Sequence, residues 1–190
     1  MRRTMFIAII GMAVVVTMFL SCTNKGSNIK SEAQEERMDA ISKSDACAEL
    51  KKKMEKGEMK TYIDTTYNVA VPYPDFFEVA TLEPGTARFF YRVGDEKAVA
   101  IVMFVEPNIE GWNIQEAAVN LSDSANFCIG VGENFFLMSS TKYVDPDHPF
   151  FEKCFLIDGN WIDYAVYFQS DYLDAIYPLL YTLLDWKPQP

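Results

Sequence analysis

Asp158-Gly159-Asn160 separates two runs of aromatic and aliphatic residues, Phe151–Ile157 and Trp161–Phe168. An Asp-Gly pair accepts the positive φ angles of a tight hairpin turn, and the twist of that turn suits the strands on either side. The chain must therefore place these two runs side by side and antiparallel. A lone hairpin is marginal in water, so further strands are required. The sequence supplies them. Ala87–Val93 is rich in aromatic and β-branched residues and ends at Gly94-Asp95. Ala98–Val105 is almost wholly apolar, which predicts a central strand buried on both faces. Phe127–Val131 and Phe135–Thr141 read as strands around Gly132-Glu133-Asn134, while Tyr67–Val71 alternates before Pro72 and Pro74 force an extended turn.

Three helices are expected among these strands. Ser44 is positioned to cap the first, in which Ala46, Cys47, Leu50 and Met54 share a stripe and Gly57 suits the position after the end. Lys51, Lys52 and Lys53 fall on its solvated side. Asn113, with Glu116 three residues later, forms a capping box ahead of Ile114, Ala117, Ala118 and Leu121. Ser170 is the expected cap of the last helix, with Leu173, Ile176, Leu180, Leu183 and Leu184 as apolar residues; Pro178 must kink it or begin its second half. Antiparallel strands with helices at the start, middle and end predict an α+β sandwich. Residues 61–190 hold 12 Phe, 10 Tyr and 3 Trp, so the core is bulky, and surface tyrosines are the candidates for recognition.

The N-terminal residues have another character. Arg2 and Arg3 precede an apolar run from Met5 to Leu20, followed by Ser21 and Cys22. The run has 16 residues, roughly 24 Å as a helix, whereas a spanning helix needs about 20. It reads as a secretory signal, and Phe19-Leu20-Ser21-Cys22 resembles the lipobox of bacterial lipoproteins, with Phe19 where leucine is usual. Cys22 is then the lipidated residue. The expected organisation is a signal peptide over 1–21, a flexible tether over 22–43 and a single globular domain over 44–190. The expected location is the bacterial cell envelope, facing the periplasm, with the outer membrane favoured over the inner.

Charge limits the partners. Residues 22–60 carry nine Lys/Arg and eight Asp/Glu, but residues 61–190 carry six and nineteen. An acidic domain is repelled by phosphate backbones, so no nucleic-acid partner is expected. Cys47, Cys128 and Cys154 are an odd set once Cys22 is assigned to lipid; Cys128 and Cys154 are read as core thiols.

No catalytic motif emerges. His148 is the only histidine and lies in Asp145-Pro146-Asp147-His148-Pro149. Asp145, Asp147 and His148 offer ligand types for a metal, but a solvated turn is the plainer reading. No zinc spacing, Walker loop, GxSxG or HExxH motif is present, and Gly130-Val131-Gly132-Glu133 is no dinucleotide fingerprint. No cofactor, resident metal or catalytic residue is expected. A carboxylate pair brought together by folding stays open, since it leaves no local signal.

Tyr67-Asn68-Val69-Ala70-Val71-Pro72-Tyr73-Pro74, the strands that follow, Phe151-Glu152-Lys153-Cys154 through Trp161, and the closing helix resemble the PsbP/DcrB superfamily over residues 61–187. That group includes a thylakoid photosystem subunit, a bacterial periplasmic lipoprotein and a nuclear Ran-binding protein. The resemblance implies an antiparallel sheet with helices on both faces, an α/β/α sandwich. It also implies binding or assembly roles without a shared active site, and carries no functional residue across. The leading expectation is an envelope lipoprotein that binds a protein partner and is not an enzyme. A small-ligand or cation-binding module is the alternative, followed by a carboxylate-based hydrolase.

Overall fold

The structure, a computed structural model, describes residues 43–123, 126–140 and 149–188. Helix α1 occupies residues 43–56. It is followed by β1 (Met59–Asp64), β2 (Val69–Pro74), β3 (Glu78–Glu83), β4 (Thr86–Val93) and β5 (Glu96–Pro107). Then come α2 (Ile114–Asn120), β6 (Asn126–Val131), β7 (Phe135–Ser140), β8 (Phe150–Ile157), β9 (Asn160–Phe168) and α3 (Leu173–Asp185). The chain is α+β. Strands β1 and β2 form a two-stranded ribbon, and the other seven form an antiparallel sheet in the order β3-β4-β5-β9-β8-β7-β6. No helix among the described residues is long and apolar enough to cross a membrane.

Two buried clusters use alternate residues of the sheet. The larger joins Leu50 of α1 and Val71 of β2 to Phe89, Ile101, Tyr164 and Val166 of the sheet and to Ile176 and Leu179 of α3. The smaller joins Ile114, Ala117 and Ala118 of α2 to Phe136, Met138, Cys154 and Trp161. Neighbouring strand residues point to opposite faces, and on β8 Phe155 belongs to the larger cluster while Cys154 belongs to the smaller.

The local signals have the structural outcomes their chemistry demands. Asp158 and Gly159 take φ of 50° and 76°, and Ile157 pairs with Asn160 across them. Asn113 and Glu116 exchange both capping-box hydrogen bonds, each at 3.0 Å. Gly57 does follow α1, but the reason is space. A Cβ there would lie 2.8 Å from the Phe76 ring and 2.9 Å from the Lys53 carbonyl oxygen.

Three expectations are corrected. Pro72 and Pro74 lie within β2, opposite Thr61 and Met59; a two-stranded ribbon tolerates prolines that a central strand excludes. Ser170 does not cap α3. It opens a short 3-10 turn, Ser170–Tyr172, and α3 begins after Tyr172 with no side-chain cap. Pro178 does not begin a second helix: α3 runs unbroken from Leu173 to Asp185. Both Pro178 and Asp174 are exposed, so water can satisfy the carbonyl that loses its partner.

The ribbon is fastened to the rest by polar contacts. Asp64, only 1% exposed, accepts backbone N–H bonds from Thr66 (2.8 Å), Tyr67 (3.1 Å) and Gly85 (2.6 Å). The Tyr164 hydroxyl donates to the Pro72 carbonyl at 3.0 Å, and the Trp186 indole N–H donates to the Ala70 carbonyl at 2.8 Å.

Candidate functional site

The β8–β9 hairpin builds a polar cluster into an apolar face. Its two-residue turn sets the register, which puts Cys154 opposite Asp163 and Glu152 opposite Ala165. Glu152 and Cys154 are two residues apart on one strand, so they share a face. The Cys154 Sγ and one carboxylate oxygen each from Glu152 and Asp163 all lie within 4.8 Å of one another. Cys154 and Asp163 are each 4% exposed, while Glu152 is half-buried.

Electrostatically the cluster is crowded. Burial raises the Glu152 carboxyl to about 7, with the Glu106 charge adding to the shift. Burial also drives Asp163 well above the usual carboxylate range. The Glu152 charge pushes the same way, and the hydrogen bond donated by the Cys154 thiol resists. The thiol itself is raised well above its ordinary value by burial and then by the Asp163 and Glu152 charges. Tyr167 is raised by burial and the same acids, with Arg88 the cation that opposes them. Each of these groups is held toward its protonated form, because charged forms at this spacing repel one another in a poorly solvated place.

A second feature lies where α3 meets the outer strands. An apolar cleft of about 260 Å³ is lined by Ile129, Leu137, Phe151, Tyr177, Tyr181 and Leu184, among others, and Glu152 also contributes to its wall. Beside it, β6 ends the sheet on one side and, among the described residues, pairs with β7 alone. Phe127, Ile129 and Val131 of β6 are exposed, as are Tyr177, Tyr181 and Leu184 of α3. A long apolar edge of this kind is usually shielded in a monomer. Here Asn126–Val131 carries no proline and no charge, and the preceding turn supplies the shielding: the Asn126 N–H donates to the Asp123 carboxylate at 2.7 Å and the Cys128 N–H to the Ser122 hydroxyl at 3.1 Å.

Cys22, Asp145, Asp147 and His148 lie outside the described residues. Cys47 and Cys128 are half-buried free thiols and Cys154 is a buried one. The cluster residues Glu152 and Asp163 were not singled out from the sequence, although the Asp158-Gly159 turn encodes the register that joins Asp163 to Cys154.

No family model matches the sequence, and no curated protein matches it. Among solved structures, the chain is similar to the solution structure of cyanobacterial PsbP (CyanoP) from Synechocystis sp. PCC 6803. The two are 12% identical with a TM-score of 0.44, over 66% of this chain and 89% of that one.

Proposed function

We propose that this chain is a cell-envelope lipoprotein, anchored through Cys22, whose domain binds another envelope protein and does no chemistry on it. In this reading residues 22–43 are the tether. Residues 44–190 form an α/β/α sandwich, with α1, the ribbon and α3 on one face of the sheet and α2 on the other. The observation that carries the binding role is the apolar cleft, with exposed Phe127, Ile129 and Val131 of β6 and Tyr177, Tyr181 and Leu184 of α3 around it. An extended segment laid along the cleft would place alternate apolar side chains against Ile129, Phe151 and Tyr181.

Charge complementarity selects the occupant. Asp123 and Glu133 flank β6, and residues 61–190 carry thirteen more acidic than basic residues. The partner is therefore an extended segment that alternates apolar residues with Lys or Arg. A second copy of so acidic a domain would meet its own charge. Burial of Asp163 weighs against the hydrolase reading, because both carboxylates of a glycosidase must reach the sugar.

Fluorescence anisotropy with two synthetic peptides tests this directly, one alternating apolar residues with lysine and the other with glutamate. The lysine peptide is expected to bind the full chain, and Ile129→Lys with Tyr181→Glu to weaken it at least ten-fold. Equal binding of both peptides, or of neither, overturns the proposal.

A further inference from the structure

The Glu152–Cys154–Asp163 cluster has a use that peptide binding does not explain. Asp163 is the decisive residue. It is 96% buried by its 4% exposure, yet among the described residues no lysine, arginine, backbone N–H or hydroxyl donates to it. The Cys154 thiol, itself a member of the cluster, is the donor it has. A buried carboxylate normally has a cation or several strong donors, because desolvation without them is costly. Lys153, the nearest cation in sequence, is committed elsewhere: its Nζ donates to the carbonyls of Leu184 and Trp186.

We propose that Glu152, Cys154 and Asp163 form a binding site for a divalent transition-metal ion of the zinc class. The donor set is one thiolate and two carboxylates, a mixture suited to a borderline-soft ion and unsuited to calcium or magnesium, which favour all-oxygen shells. Tetrahedral ligands on zinc stand about 3.3–3.8 Å apart, given bond lengths near 2.0–2.3 Å. Donor atoms already within 4.8 Å of one another reach that spacing by rotamer adjustment of Glu152, the most exposed of the three. Three protein ligands leave a fourth position for water or a partner's donor group. Binding releases the thiol proton and any protons held by the carboxyls, and exchanges mutual repulsion for attraction to a shared dication. Strand pairing fixes Cys154 against Asp163, so two of the three ligands are preorganised on rigid backbone.

Cobalt(II) is the probe, because a thiolate ligand gives it a charge-transfer absorption in the near ultraviolet. Titration into the purified, chelator-treated full chain is expected to saturate at one equivalent with that band, and zinc is expected to displace it. Cys154→Ala should abolish the band. Glu152→Gln and Asp163→Asn should weaken binding roughly ten-fold or more, within the range seen when metal sites lose supporting groups. His148→Ala should leave it unchanged. The inference is overturned by the absence of the band, by its persistence in Cys154→Ala, or by its loss in His148→Ala. Wild-type affinity in Glu152→Gln also overturns it, and that variant changes a half-buried side chain, so the test survives if Cys154→Ala fails to fold. None of these readouts depends on peptide binding at β6.

Discussion

Replacing Lys153 with methionine tests how the end of α3 is held. Lys153 is 3% exposed, and its Nζ donates to the Leu184 carbonyl and, at 2.8 Å, to the Trp186 carbonyl. The ammonium also lies 4.7 Å from the centre of the Phe135 ring and 5.3 Å from that of Phe155. It caps the carbonyl end of a helix, where a positive charge is favoured by the helix dipole. Hydrogen bonds to charged groups contribute about 1.5–3 kcal/mol each, so two of them contribute roughly 3–6 kcal/mol in gross terms. Against this stands the cost of burying the ammonium. Its pKa is lowered chiefly by burial and secondarily by Lys187, with Asp185 opposing. Methionine preserves most of the volume, removes the buried charge and leaves two carbonyls without a donor. The expected net loss is about 2–3 kcal/mol, a fall in melting temperature of roughly 5–10 °C for a domain of this size. Urea denaturation measures it, with an unchanged m-value showing that the unfolded state is not altered. Equal or greater stability in Lys153→Met would refute the reasoning. It would mean that desolvation outweighs the two hydrogen bonds, as happens for some buried ion pairs.

Asp64→Ala removes the acceptor of three backbone N–H bonds, one of which reaches Gly85 at the β3–β4 turn. A loss of about 3 kcal/mol is expected in the same denaturation assay, since each orphaned buried donor costs about 1–3 kcal/mol before partial hydration. Thiol alkylation separates the cysteines. The Cys47 pKa is raised by partial burial and then by the Asp174 charge, so its thiolate fraction is depressed at neutral pH. It should react with iodoacetamide more slowly than a free cysteine, and the gap should narrow as pH rises. Cys154, 4% exposed, should react only on unfolding. Rapid labelling of Cys154 in the native chain would contradict its placement.

Much of the fold is legible in the sequence where local chemistry dictates local geometry. The Asn113–Glu116 box, the Asp158-Gly159 turn and the apolar run of β5 each carry their signal within a few residues. Strand β3 does not, because Glu78–Glu83 has hardly any buried residue, and an exposed edge strand has no periodic apolar face to reveal it. The start of α3 departs from its local signal for a different reason. Ser170 has the chemistry of a cap, but a 3-10 turn intervenes. The candidate site is intermediate. Cys154 and Asp163 are nine positions apart and look unrelated, yet the hairpin turn specifies that they face each other. What no local pattern conveys is that Asp163 ends without an external donor, since that depends on every strand and helix packed around it. The cleft is likewise assembled from β6, β7, β8 and α3, which only the complete sheet brings together.

The order β3-β4-β5-β9-β8-β7-β6 joins two meanders along a single seam, where Val99–Pro107 pairs with Asn160–Phe168. Within each meander every strand pairs with its neighbour in sequence. The seam alone brings together strands separated by α2 and three intervening strands, so it carries most of the loop-closure cost of building the sheet. Folding should therefore be paced by this one zipper, with substitutions at Val102 or Ala165 slowing it more than equal destabilisation at β3 or β6. Glu152, Cys154 and Asp163 all lie on the β8–β9 hairpin of the second meander. The backbone frame of that cluster is thus set locally, whereas the cleft waits for α3, which packs on the sheet that the seam completes.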